Sequence, residues 1–255
     1  MSLPVLTGAL LLLQLAGSPA LVAQDKIPDV PRLVPGARYV DARRMDLSRL
    51  PDPPALGSLA AQADLETILQ LQAWRTDAEE AWAKATDRLQ YFDVASTLGP
   101  WFRPDRLPLT ARLLQEVLGD GESANHVAKL KWKRLRPCIQ DPRVRPCVQP
   151  PKETKTNGQT DPGFYSYPSG HATAVYLTAN VLADLMPAHR DAVFAWARKS
   201  AWGRMLAGVH YPSDNLGGRI LATLVHDAVK ANPEYRKAVE ACQAELRAQA
   251  PAGTL

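Results

Sequence analysis

Two histidines and one aspartate have the types and spacing of a nucleophile, its orienting partner and a proton donor. His210 stands four residues before Asp214, and His171 lies further upstream. A carboxylate that accepts a hydrogen bond from Nδ1–H of a histidine fixes the tautomer and leaves Nε2 free to attack. A second histidine can transfer a proton to a leaving group. The three residues are therefore candidate catalytic groups; the alternative is an aspartate helix cap beside unrelated histidines.

Three cations near these residues have the chemistry of a phosphate clamp. Lys129 and Arg136 are seven residues apart in a basic stretch, a spacing that places both on one face of a helix, and Arg204 precedes His210 by six residues. Arginine offers a planar fork to phosphate oxygens and lysine offers a point charge. A solvated helix face and a nucleic-acid patch remain the alternatives for the basic stretch. The other basic residues of this stretch, interpreted as surface side chains, are Lys131, Lys133 and Arg134.

Ser169 and Gly170 stand where a loop enters a predicted helix, directly before His171. The free N–H groups at a helix N-terminus attract anions, and a glycine lets the backbone approach a phosphate closely. Ser169 can cap the helix or donate to a phosphate oxygen. An N-cap serine followed by a structural histidine is an equally good interpretation of this segment alone.

Composition excludes several classes of protein. The 255 residues include 30 Lys and Arg against 26 Asp and Glu, and 46% are apolar, which is ordinary for a soluble globular protein and unlike a disordered chain, a collagen or a coiled-coil rod. The charge excess is too small to argue for a nucleic-acid partner. The sequence contains no HExxH, EF-hand or Walker A motif, so we predict neither a metal nor a cofactor.

Helical periodicity dominates the chain from residue 59 onward. The predicted helical stretches are 59–89, 109–135 with a break near Gly119 to Gly121, 169–186, 188–207, 212–230 and 233–249, and a long loop covers 138–168. Strand patterns are scarce. We therefore predict an all-α protein with one compact helical domain over 59–250, preceded by an extended, proline-rich N-terminal arm over 24–58.

The N-terminus predicts export. Residues 1–24 carry no charge, the apolar run 5–16 is too short to span a bilayer, and small residues allow cleavage after Ala20 or Ala23. We expect a signal peptide over 1–23, a periplasmic or secreted protein and no integral membrane association. In that oxidising compartment we expect a disulfide between Cys138 and Cys147, which leaves Cys242 unpaired.

The ordered set of motifs resembles the type 2 phosphatidic acid phosphatase (PAP2) superfamily, whose pattern is K-x6-RP, then PSGH, then SR-x5-H-x3-D. The matching residues are Lys129, Arg136, Pro137, Pro168, Ser169, Gly170, His171, Arg204, His210 and Asp214. Within that superfamily the chain resembles class A bacterial non-specific acid phosphatases. Three positions depart from the usual pattern: Gly203 replaces the serine before the arginine of the third motif, and Tyr165 and Ala172 alter the class signature.

The resemblance implies a fold of the PAP2/haloperoxidase type and a role for each matched residue. His210 becomes phosphorylated, Asp214 orients it, and His171 protonates the leaving alcohol and then activates water. The residues implied in binding the phosphoryl oxygens are Lys129, Arg136, Ser169, Gly170 and Arg204. Small phosphomonoesters, such as nucleotides or sugar phosphates, are the implied substrates.

Other functions fit parts of the same pattern. Phosphotransfer to an alcohol is a possible side activity, because an alcohol can replace water at the phosphoenzyme. A vanadium-dependent haloperoxidase uses the same residue set, and a periplasmic anion-binding module explains the cations but leaves His171, His210 and Asp214 without a role. Related secreted enzymes also suggest a homo-oligomer.

Overall fold

The computed structural model describes residues 36–90, 92–156 and 158–254. The α-helices of this part are α1 (Leu59–Trp74), α2 (Asp77–Ala85), α3 (Ala95–Leu98), α4 (Pro108–Trp132), α5 (Pro137–Gln140), α6 (Gly170–Leu185), α7 (Arg190–Leu206), α8 (Pro212–Ala231) and α9 (Pro233–Gln249). Short 3₁₀ helices cover Ala42–Arg44, Pro162–Phe164 and Pro187–His189. The predicted all-α class is confirmed.

Helix α6 is the centre of the molecule. It packs most extensively against α8, then against α7 and α4. Its alanine, valine and leucine residues are buried on nearly every side, as expected for a helix that is apolar all round. The loops at the N-terminal end of α6 are consequently surrounded by the ends of α4, α7 and the start of α8.

The first predicted helical stretch is divided in two by a capping box. Thr76 accepts a hydrogen bond from the backbone N–H of Glu79, and the Glu79 carboxylate accepts one from the backbone N–H of Thr76. This reciprocal arrangement satisfies two N–H groups at the start of α2. Helix α1 ends at Trp74, so 59–89 is two helices rather than one.

The predicted break near Gly119 and Gly121 is wrong, because α4 continues through both glycines. A Cβ at Gly119 would lie 2.5 Å from the backbone nitrogen of Ala37. The glycine lets the N-terminal arm cross the helix closely instead of interrupting it. Asp120 holds the arm in place by accepting backbone hydrogen bonds from Arg38 and Tyr39 at 2.9 Å.

Two further expectations need correction. The segment 138–168 contains α5 and an antiparallel hairpin of β1 (Lys155–Thr156) and β2 (Gln159–Thr160), with Lys155 opposite Thr160 and Thr156 opposite Gln159. The expected disulfide is not formed: Cys138 and Cys147 are free thiols. Each cysteine packs against a different apolar cluster: Cys138 against the one that contains Tyr211, and Cys147 against the one that contains Val209. The predicted signal peptide and residues 24–35 of the arm lie outside the described residues.

Candidate active site

A cavity of about 390 Å³ lies at the N-terminal end of α6. Its lining includes Lys129, Arg136, Gly170, His171, Arg204 and His210. These six predicted site residues come from α4, α6 and α7 and from the loops that precede α5 and α8. The other two, Ser169 and Asp214, are fully buried directly behind this lining.

Hydrogen bonds fix the tautomer of His210, which is 3% exposed. Its Nδ1 lies 3.3 Å from Oδ2 of Asp214, and its Nε2 lies 3.0 Å from Nη1 of Arg136. A guanidinium can only donate hydrogen bonds, so Nε2 must be the acceptor and the proton must reside on Nδ1. Burial, followed by the charges of Arg136 and Lys129, lowers the pKa of His210 well below its ordinary value. The imidazole is therefore neutral and presents a lone pair at Nε2.

Asp214 is positioned by the start of α8. Pro212 occupies the first turn of this helix, and the Asp214 carboxylate accepts a hydrogen bond from the backbone N–H of Tyr211 at 2.8 Å. Its other oxygen accepts from Nη1 of Arg134 at 2.7 Å. Burial raises the pKa of Asp214, and the Arg134 charge opposes that rise. Arg134 therefore favours the carboxylate form that orients His210.

His171 lies in the first turn of α6, and its Nε2 is 2.9 Å from the hydroxyl of Ser200 on α7. A hydroxyl can donate or accept, so this contact suits both protonation states of the ring. Burial, with the charge of Arg204, lowers the pKa of His171 to about 3. His171 and His210 are therefore both neutral in the free site.

Lys129 and Arg136 meet in the cavity, but the helical argument that paired them is wrong. Helix α4 ends at Trp132, and Lys133 adopts a left-handed conformation with φ 49°. Arg136 instead precedes the first residue of α5, and its guanidinium donates to the carbonyls of Gly163 at 2.7 Å and Val209 at 3.0 Å. The buried Lys129 ammonium donates to the carbonyl of Tyr165.

Arg204 reaches the same cavity from the last turn of α7. Its Nη1 donates to Asp87 at 2.6 Å, while its buried Nε has no hydrogen-bond partner within the described part of the chain. One edge of the guanidinium is thus anchored and the other is available to an anion. Burial, followed by the charge of Arg204, lowers the pKa of Arg136 to about 10. An anion bound between the two arginines would relieve this repulsion.

Ser169 and Gly170 shape the start of α6. The Ser169 hydroxyl accepts from the backbone N–H of Ala172 at 3.2 Å and caps the helix. A Cβ at Gly170 would lie 3.2 Å from the side-chain oxygen of Asn125, so the glycine allows α4 to approach this helix end. The structure places Gly170 at the cavity and assigns Ser169 to the cap; its contact with phosphate stays a prediction.

The sequence profile of the PAP2 superfamily matches residues 109–237, a range that contains every predicted site residue. The chain belongs to the PAP2 superfamily. A non-specific acid phosphatase from Providencia stuartii is 27% identical over 206 residues, which cover 78% of this chain and 80% of that protein. An acid phosphatase from Zymomonas mobilis subsp. mobilis is 28% identical over 203 residues, which cover 77% of this chain and 74% of that protein.

A solved structure with lower similarity is the transmembrane PAP2 type phosphatidylglycerolphosphate phosphatase from Bacillus subtilis. It is 19% identical, with a TM-score of 0.43, and the match covers 69% of this chain and 87% of that chain. This similarity is too low to support an inference. Among the described residues of the present PAP2 protein, no helix has the length and apolar character needed to cross a membrane.

The departure of this PAP2 protein at Gly203 has a structural cause. A Cβ at this position would lie 3.1 Å from two ring carbons of Trp82 on α2. The indole therefore occupies the side of α7 where the usual serine side chain would project. A residue without a Cβ allows α2 to pack against α7 beside Arg204.

Several polar residues at this PAP2 site escaped the sequence analysis. His126, which belongs to none of the three motifs, lines the cavity one turn before Lys129 on α4. Its spacing of three residues from Lys129 could have predicted this, because residues three apart on a helix lie on the same face. Arg134, interpreted as a surface residue, is nearly buried beside Asp214. Ser200 belongs to no motif, and only the packing of α7 on α6 brings it to His171.

The described residues contain no group of three or more His, Cys, Asp or Glu side chains arranged to hold a metal ion. The polar groups around the cavity are three cations, three imidazoles and the backbone N–H groups at the start of α6, with the carboxylates of Asp87 and Glu122 beside them. Such a set suits a phosphate, whose oxygens take charge-assisted hydrogen bonds from arginine, lysine and a helix N-terminus.

Proposed function

We propose that this protein is an acid phosphatase that hydrolyses small phosphomonoesters through a phosphohistidine on His210. The observation that carries the proposal is the geometry of His210: Asp214 holds its Nδ1–H, and Nε2 is unprotonated beside Arg136 at the edge of a cationic cavity. The names of the curated relatives support the same reaction class. The matched superfamily supports it as well.

The first step transfers the phosphoryl group to the enzyme. A phosphate oxygen replaces His210 as the acceptor of the Arg136 hydrogen bond, which releases the Nε2 lone pair. Nε2 then forms a bond to phosphorus while the bond between phosphorus and the ester oxygen breaks, and the leaving oxygen takes from His171 the proton that the monoprotonated ester has brought to the site. Lys129, Arg136, Arg204 and the N–H groups at the start of α6 stabilise the charge on the equatorial oxygens.

The second step releases phosphate. His171, now neutral, takes a proton from a water molecule, whose oxygen attacks phosphorus as the bond to Nε2 breaks. His210 returns to its neutral state with the proton still on Nδ1, where Asp214 has stabilised the imidazolium charge throughout. An alcohol in place of water would give the phosphotransferase reaction with the same balance of atoms.

We infer that activity is greatest below neutral pH. His171 enters the reaction neutral in the free site, because its pKa is about 3. Below about pH 6 a phosphate ester carries a proton of its own. The bound phosphate places negative charge beside the imidazole of His171 and so raises the pKa of this ring. The proton of the ester can then pass to His171. Acidic conditions thus supply the proton that the leaving group needs, without protonating the buried His210.

Hydrolysis of p-nitrophenyl phosphate at acid pH tests the proposal. We expect turnover by the wild type, no turnover by His210→Ala, and labelled phosphate trapped on the wild type only. His226→Gln is the matched control, since His226 is also a buried histidine that faces a carboxylate, Asp184, at 2.9 Å, away from the cavity. Full activity in His210→Ala would refute the nucleophile.

The same assay separates the competing functions. Inhibition by vanadate and indifference to EDTA are expected, because the proposed chemistry uses an anion cradle and no metal. Strong inhibition by EDTA would contradict metal independence. Phosphate binding without turnover would favour an anion-binding module, and peroxide-dependent bromide oxidation with vanadate, without hydrolysis, would favour a haloperoxidase.

A further inference from the structure

A buried ion-pair chain connects Asp214 to α1, a helix that does not line the cavity. The Arg134 guanidinium donates from Nη1 to Asp214 Oδ1 at 2.7 Å and from Nη2 to Asp64 Oδ2 at 2.8 Å. The side chains are 12%, 0% and 8% exposed, respectively. Asp64 belongs to α1, which contributes none of the residues that line the cavity. It also lies outside the 109–237 range of the superfamily match.

Additional contacts fix the Arg134 fork in one orientation. Nη1 donates to the Ser213 hydroxyl at 2.6 Å, and Ser213 donates from both its hydroxyl and its backbone nitrogen to the Asp64 carboxylate. The guanidinium lies over the ring of Tyr211, 4.1 Å from its centroid. Hydrogen bonds to its N–H groups thus fix the orientation of the Arg134 guanidinium, and the Tyr211 ring packs against the face of this group.

The charge balance of this chain matches the needs of the reaction. Two carboxylates share one arginine, so the chain carries a net negative charge behind His210. In the resting site Lys129 and Arg136 offset that charge from the cavity side. When Nε2 becomes phosphorylated the imidazole ring becomes cationic, and the same negative charge then stabilises it directly through Asp214.

We propose that Arg134 and Asp64 are positioning residues for the nucleophile: together they hold the Asp214 carboxylate in the place from which it orients His210. The inference rests on the proposed function of His210, but it concerns residues that touch neither the cavity nor the substrate. It assigns a role in catalysis to α1, which contributes no residue to the cavity lining.

Substitution of the arginine gives the main test. We expect Arg134→Gln to lower kcat about 10- to 100-fold, the range typical of residues that orient a reactive group from behind, with little change in KM. Arg134→Lys keeps the charge but loses the fork, so part of the rate should return. Asp64→Asn should lower kcat less than Arg134→Gln, because Arg134 keeps its bond to Asp214.

The dependence of kcat/KM on pH shows whether Arg134 positions Asp214 or only stabilises the fold. The groups that face Asp214 are Arg134, Arg136, Lys129, His210, Tyr167, the Ser166 hydroxyl, and the ring and backbone N–H of Tyr211. The Arg134 charge opposes protonation of Asp214. Arg134→Gln should therefore shift the acidic limb of kcat/KM to higher pH, and Arg134→Lys should restore its position.

Arg75→Gln is the matched control. Arg75 is also nearly buried and ties α1 to its surroundings, with Nη1 on the Leu206 carbonyl at 2.7 Å and Nη2 3.0 Å from Glu80. It does not contact Asp214. We expect Arg75→Gln to lower the melting temperature while kcat and the acidic limb stay at their wild-type values.

Two results would overturn the inference while leaving the phosphohistidine intact. One is an Arg134→Gln enzyme with wild-type kcat and an unmoved acidic limb beside an inactive His210→Ala enzyme. The other is a fall in the measured kcat of Arg134→Gln that disappears when the rate is divided by the concentration of folded enzyme, which active-site titration measures. Full activity in His210→Ala would instead refute the proposed function, so the two failures are distinguishable.

Discussion

At the scale of single residues, the site depends on the position of one proton. His210 carries it on Nδ1 because a carboxylate lies on that side and a guanidinium, which cannot accept, lies on the other. The spacing of His210 and Asp214 predicted their pairing, since a helix that begins at Pro212 brings residue 214 back toward residue 210. The sequence could not predict the Arg136 contact, which requires the loop before α5 to meet the one before α8.

Asp214→Asn tests this tautomer. An amide that donates its NH₂ to Nδ1 would stabilise the proton on Nε2 and block the attacking atom. In a Ser-His-Asp enzyme the equivalent change lowers kcat about 10⁴-fold with the geometry preserved. We expect a loss of similar order here, with phosphate still able to protect the variant against heat. Near-normal turnover would show that Asp214 has no part in selecting the tautomer.

At the scale of elements, the sequence predicted the helices better than their junctions. Periodicity and prolines predicted α6 to α9, with ends within a few residues of those observed. The capping box at Thr76 was readable but unused, whereas the left-handed Lys133 that ends α4 carries no signal comparable to a glycine. Two arguments predicted that Arg136 and Lys129 converge. The helical argument fails because α4 ends before Arg136, so only the family resemblance predicted the convergence for a valid reason.

The contact between α2 and α7 gives a prediction of its own. Restoring the usual serine with Gly203→Ser places a Cβ 3.1 Å from the Trp82 ring. Overpacking of this kind typically costs about 1–3 kcal/mol, so we expect a lower melting temperature and, because Arg204 is adjacent, weaker phosphate binding. The double variant with Trp82→Ala should lose less than the sum of the single changes. Additive losses in thermal unfolding would show that the two side chains do not compete for this space.

At the scale of the whole molecule, the sequence predicts a mature chain shorter than the 255 residues encoded. Cleavage after Ala20 or Ala23 would leave a free N-terminus at Leu21 or Gln24. The part of the arm that the structure describes is held by the Asp120 carboxylate, which binds the backbone of Arg38 and Tyr39, and this contact follows both cleavage sites. Cleavage should therefore leave the fold intact. Mass spectrometry of the exported protein checks the prediction, and an intact Met1 on it would contradict a signal peptide.

The unliganded protein should lose stability in acid because of its own active site. Burial lowers the pKa of His171 from 6.5 to about 3 and lowers that of His210 as well. Between those pH values the unfolded chain binds more protons than the folded one. The free energy of unfolding therefore falls as the pH drops from about 6.5 toward 3, by up to about 1.4 kcal/mol per pH unit for His171, and the lowered pKa of His210 adds to the fall.

A bound dianion should reverse this loss, because its charge favours protonated histidines. Sulfate is a suitable probe, since it stays dianionic throughout the range and its pH dependence reports on the protein. We expect sulfate to raise the melting temperature more at pH 4.5 than at pH 7, and His171→Gln to reduce that difference because one of the two titrating groups is gone. The general salting effect of sulfate is common to both proteins and cancels in the comparison. An equal increase at both pH values in the wild type would mean that anion binding is not coupled to protonation at this site, and the explanation of acid activity given above would then fail.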